Sequence, residues 1–146
     1  MKNIFYYLIP FVLIFSNCKM GNNPGNYNSP LAVVIKLNAA EELRNFDEAK
    51  KYQNIQSIYG EIAKKESKDP EKLWHDMVDF FYNISRGSKF TNLIVYYNYN
   101  IREVIDNNNA EVILIAKNSK DNIKSINYTL KFEKDSWIVE KIEYKH

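Results

Sequence analysis

The sequence predicts an α+β domain, with N-terminal helices packed on a curved antiparallel sheet of about four strands. Three observations carry this. Two segments open with a capping residue followed by proline, Ser29-Pro30 and Asp69-Pro70, and continue with apolar residues at helical spacing. After Gly87 the apolar period drops from about 3.6 to 2. The alternating segments are joined by short turns, which connect antiparallel neighbours, and helices followed by consecutive hairpins give an α+β layout.

The chain of 146 residues suffices for one domain with a modest core. Its formal charge of +2 comes from interspersed Lys, Asp and Glu, with no basic stripe, so nothing in the pattern asks for nucleic acid. The first residues read as a secretory signal: Lys2 supplies a positive start, and Ile4 to Phe15 form an apolar run of about 12 residues. That run is shorter than the roughly 20 residues of a spanning helix. It ends Phe15-Ser16-Asn17-Cys18, at the only cysteine of the chain. The pattern resembles the lipobox of bacterial lipoproteins, with Phe15 and Asn17 where the strict form has Leu and a small residue. The resemblance implies a signal peptide over 1–17, lipid attachment at Cys18 and a membrane-anchored protein of the bacterial envelope. Lys19 after the cysteine favours the outer membrane over the inner. Residues 18–29, rich in Gly and Asn, read as a flexible tether.

The folded domain is expected over 30–146. Leu31, Val34, Ile35, Ala39, Leu43 and Phe46 give the first helix its apolar face. Asp47 is placed as the cap of a short helix, "DEAKKY". Ile55, Ile58, Tyr59 and Ile62 mark a third helix, which Gly60 weakens by about 1 kcal/mol relative to Ala. The clearest helix follows Asp69-Pro70, with Leu73, Trp74, Met77, Phe80, Phe81 and Ile84 on its apolar face and Arg86-Gly87 at its end. Leu93, Val95, Tyr97, Tyr99 and Ile101 alternate on a first strand. "DNNN" turns into a second, where Ala110, Val112, Leu114 and Ala116 oppose Ile113 and Ile115. Ile126, Tyr128, Leu130 and Phe132 share one face of the third. On the fourth, Trp137 and Val139 are out of phase with Ile142 and Tyr144, which a bulge near Glu140-Lys141 reconciles.

The order of a capped helix, "NFDEAKKY", further helices and four strands ending "SWIVEKIEY" resembles the nuclear transport factor 2-like superfamily. Phe46-Asp47-Glu48-Ala49 matches its helix junction, and Trp137, Val139 and Ile142 match its last strand. The resemblance spans about residues 30–146 and implies a cone, a sheet wrapped around a long helix. That fold hosts enzymes, carriers and scaffolds, so it does not set function.

For chemistry, His75 is read on a polar helix face with Lys72, Asp76, Asp79 and Asn83. A His75/Asp79 pair lacks a third ligand, so no metal site is assigned. His146 is the terminal residue. No nucleophile beside a base, phosphate loop or His/Cys spacing is recognised, so no catalytic residue and no cofactor is assigned. The expected function is non-catalytic binding of a small apolar ligand, a peptide or a protein, in a pocket lined by Trp74, Phe81, Tyr97, Tyr99 and Tyr128. The alternative is homodimeric assembly through an outer sheet face bearing Ile94, Tyr96, Ile113 and Ile115. A third reading, a hydrolase or isomerase, requires a buried carboxylate or His beside Tyr97 or Tyr99. Glu103 and Asp76 are the nearby candidates, and their phase points them outward.

Overall fold

Ser29 caps the first helix through its hydroxyl, which accepts from Ala32 N at 3.1 Å, and Pro30 occupies the first helical position. The computed structural model describes residues 28–85, 98–118 and 122–146. Helix α1 covers Pro30–Glu42, α2 Phe46–Ala49, α3 Ile55–Lys65 and α4 Pro70–Ser85. Strands β1 (Tyr99–Asp106), β2 (Asn109–Ala116), β3 (Ser125–Glu133) and β4 (Ser136–Lys145) form one antiparallel sheet in the order β1-β2-β3-β4. The coarse architecture is α+β, helices packed with a four-stranded antiparallel sheet. Helices α1 and α3 meet the sheet, and α4 packs against both. Among the described residues no helix is long and apolar enough to cross a membrane.

The inward sheet face follows the period-2 reading. Ala110, Val112 and Leu114 are buried on β2, Tyr128 and Leu130 on β3, Trp137 and Val139 on β4. Thr129 pairs with Lys141 and Leu130 with Val139, so Glu140 is the extra residue of a bulge that swaps the phase of β4. Asn107 turns between β1 and β2 at φ 53°. Lys134 and Asp135 both take positive φ between β3 and β4, the two-residue turn that suits a twisted hairpin.

The helices depart from expectation in four places, one of them Ile62 of α3, which is 46% exposed while Tyr59 and Ala63 are buried. Helix α1 buries Val33, Val34, Leu37 and Ala40, while Ile35 and Leu43 are exposed. Nearly every residue from Leu31 to Ala40 is apolar, so spacing alone does not select a face. The helix stops at Glu42, and Arg44 adopts φ 54°. The cap of α2 is Asn45, whose Oδ1 accepts from Glu48 N at 3.2 Å, two residues before Asp47. On α4, Asp69 caps as expected, with Lys72 N donating to Oδ1 at 3.0 Å, and Leu73, Trp74 and Val78 are buried. Phe80 and Phe81 instead lie open to solvent, stacked edge to face at 5.6 Å. Leu93, Val95 and Tyr97 of the expected first strand, and Arg86-Gly87, lie outside the described residues.

Between α2 and α3 the chain adds a short parallel bridge to the edge of β4. Val139 N donates to Tyr52 O at 2.9 Å, and Asn54 N donates to Val139 O at 2.8 Å. Asn54 also caps α3 and holds the Glu140 carboxylate through Nδ2 at 3.2 Å. Side chains alternate along extended backbone, so Gln53, between these anchors, points into the core.

Candidate functional site

The inward stripe of α1 continues past Leu37 to Glu41, four residues on. Glu41 therefore projects toward the core although it is acidic. Trp74, fully buried on α4, donates its indole Nε1–H to Glu41 Oε1 at 2.7 Å. Gln53 Nε2 donates to the same oxygen in a long bond of 3.4 Å. Gln53 is only 5% exposed, and its Oε1 accepts no hydrogen bond from the described residues. Burial pushes the Glu41 carboxyl above its ordinary value of 4.5, and the Trp74 and Gln53 donors offset part of that rise. No Lys or Arg among the described residues pairs with it.

Two phenols sense this carboxyl. Tyr59, buried on α3, is raised first by burial and then by the charge of Glu41. Tyr144, at the end of β4, is raised by burial around its hydroxyl, then by Glu41, then by Tyr99. Tyr144 is nonetheless 46% exposed as a residue, and Tyr99 is half-buried, so this end of the sheet borders solvent. Comparison with models of known families, with curated proteins and with solved structures finds no match to this chain. The candidate site therefore stands on its own geometry.

The expected pocket residues separate. Trp74 belongs to the cluster as a donor to Glu41. Tyr128 is buried on β3, its hydroxyl 3.2 Å from the Asn38 amide of α1. Tyr99 faces inward on β1, while Tyr97 lies outside the described residues. Phe81 is corrected: it is 53% exposed and lines nothing inside, because α4 turns Leu73, Trp74 and Val78 inward. Of the expected outer face, Ile113 and Ile115 sit on the side of β2 opposite the buried Val112 and Leu114. Arg102 and Asn127 flank Ile113 across the strands. Ile94, Tyr96 and Cys18 lie outside the described residues.

Three polar placements also change. His75 is only partly solvated: its side chain is 37% exposed beside Glu71, while its ring stacks on Phe46 at 3.9 Å and tilts against Trp74. Asp79 pairs with Arg44 at 2.8 Å. Glu103 faces inward, where its Oε1 accepts Leu31 N at 2.8 Å and so caps α1 from β1. That helix carries no acidic residue in its own first turn. Glu41, Gln53, Tyr59 and Tyr144 were absent from the sequence-derived site. Tracking Leu37 rather than Ile35 along α1 puts Glu41 on the inward stripe. Gln53 carries no periodic signal, because its burial follows from the bridge to β4.

Proposed function

We propose that this chain is a lipid-anchored protein of the bacterial envelope whose domain binds a small ligand without chemical turnover. In this reading Cys18 carries the lipid, residues 18–29 are the tether, and the helix–sheet domain is a nuclear transport factor 2-like cone. The observation that carries the binding role is the unfinished polar cluster: among the described residues, Gln53 holds a buried carbonyl oxygen with no donor, beside a carboxyl with no cation. A buried acceptor without a partner costs about 1–3 kcal/mol, which a bound ligand recovers. Glu41 Oε1 is already committed to Trp74, which suits a fixed recognition group more than a mobile base.

The test is native mass spectrometry of the full chain purified from its own envelope, compared with Gln53→Leu. A small molecule present on the wild type and lost from the variant supports the reading. A wild-type chain that carries none, and whose Trp fluorescence no small ligand alters, counts against it. For the anchor, mass spectrometry of Cys18 and fractionation of Cys18→Ala decide. An unlipidated, freely secreted wild type contradicts it.

Homodimeric assembly is the second reading. It is favoured by Val104, Ile113 and Ile115 sharing the outer sheet face, with Val104 and Ile115 about two-fifths exposed. Light scattering decides it, and a strict monomer at high concentration removes it.

A further inference from the structure

The two edges of the sheet differ. Along β4 the edge is bonded at Val139 by the segment Tyr52 to Asn54. The other edge is β1, and no strand among the described residues lies beyond it. Proteins guard such an edge with a bulge, a proline, a lysine or an inward charge. The register of β1 with β2 runs unbroken from Tyr99 to Asp106, and the strand holds neither Pro nor Lys. Its inward charge, Glu103, is already held by Leu31 N. Seven of its eight residues are exposed, Ile101, Val104 and Ile105 among them.

The backbone of that edge follows from the register. Asn98 O accepts from Lys117 N at 2.8 Å. Partners alternate along an antiparallel strand, so Asn100, Arg102, Val104 and Asp106 turn their backbone groups toward β2. Ile101, Glu103 and Ile105 turn theirs outward, and an unpaired row of N–H and C=O groups is a template for another strand.

The side chains select the strand that fits. Two identical strands pair antiparallel about a two-fold axis normal to the sheet. Every side chain then keeps its face, and even-numbered residues oppose even-numbered ones. Arg102 and Asp106 share the outer face with Val104. Centring the pair on Val104 sets each Arg102 opposite the partner's Asp106, and each Glu103 opposite the partner's Ile105. Centring it on Arg102 or on Glu103 opposes like charges, which destabilises a sheet. Among the described residues Arg102 has no ion-pair partner, and Asp106 accepts from the neighbouring Asn107 at 3.0 Å.

We infer that β1 is an interface between copies of this chain, paired β1 to β1 in antiparallel register about Val104, so that two four-stranded sheets become one. The contact is edge to edge. It is distinct from packing through the outer face and independent of the ligand-binding role.

The experiment is disulfide trapping of the detergent-solubilised full chain under mild oxidation, with the wild type setting the background from Cys18. Val104 and its copy form a pair without mutual hydrogen bonds, with Cα atoms about 4.5 Å apart, inside the range a disulfide spans. Val104→Cys is therefore expected to give a covalent dimer. Arg102 and its copy lie four residues out of step, about 13 Å along the strand, so Arg102→Cys stays at background. Ile113→Cys, one strand further in, stays there too. In sedimentation equilibrium Arg102→Glu weakens the dimer about tenfold or more. The exchange Arg102→Asp with Asp106→Arg restores it; near-ultraviolet circular dichroism checks the fold of each variant. Trapping at Ile113 as fast as at Val104 shows face packing and overturns the edge. Trapping at Arg102 without Val104, or a loss that the charge exchange does not restore, overturns the register. No trapping of a folded Val104→Cys above background, whether the edge is bare or covered by residues 86–97 of the same chain, overturns the interface.

Discussion

Replacing Trp74 by Phe tests whether the indole holds Glu41 in place. The substitution removes the N–H that donates to Glu41 Oε1 at 2.7 Å and leaves that oxygen only the long Gln53 contact. Losing a hydrogen bond to a buried carboxyl costs about 1–3 kcal/mol. The smaller ring also vacates space in a site with no solvent exposure, which adds about 1 kcal/mol. The sum is a loss of about 2–4 kcal/mol. For a domain of this size that lowers Tm by about 8–16 °C. The assay is thermal unfolding followed by far-ultraviolet circular dichroism, with a double-mutant cycle against Glu41→Leu. A coupling of about 1 kcal/mol or more between the two positions is expected. A drop no larger than that of a surface substitution, about 0.5 kcal/mol, or a cycle with zero coupling refutes the reasoning.

Other predictions follow from the same contacts. Glu41 binds its proton more tightly folded than unfolded, so stability falls as pH rises from 4.5 through the raised value, and Glu41→Gln abolishes that fall. Glu48, Glu133 and Glu143 are held low by hydrogen bonds from Lys51, Lys131 and Lys141, so their contribution is lost as pH drops below the same range. A pH–stability curve for Glu41→Gln that overlays the wild type contradicts the assignment. Glu103→Ala removes the carboxylate from the start of α1 and should cost about 1 kcal/mol, less at high salt, in denaturant unfolding. Phe81→Ser should change stability by less than about 0.5 kcal/mol in thermal unfolding; a loss of several kcal/mol would restore Phe81 to the interior.

Sheet and caps were legible because their signals are local. Alternation on β2 and β3 chose the inward face, and the phase break between Val139 and Ile142 located the bulge at Glu140. Ser29 and Asp69 are caps whose hydrogen bonds close within three residues. The site was not legible, because each of its members is placed by a distant partner. Glu41 faces inward because α1 buries Leu37, in a helix too uniformly apolar to display a stripe. Gln53 is carried inward by backbone bonds to Val139. Glu103 finds Leu31 across 72 residues, and His75 finds Phe46 through the turn between α1 and α2. Polar residues that satisfy one another inside a core leave no periodicity in the sequence.

The most direct test of the account is the titration of the Glu41 side-chain carboxyl, followed by its carbon-13 chemical shift in the full chain. A midpoint above 4.5 is expected, raised further in Trp74→Phe. A midpoint at or below 4.5 in the free protein contradicts it.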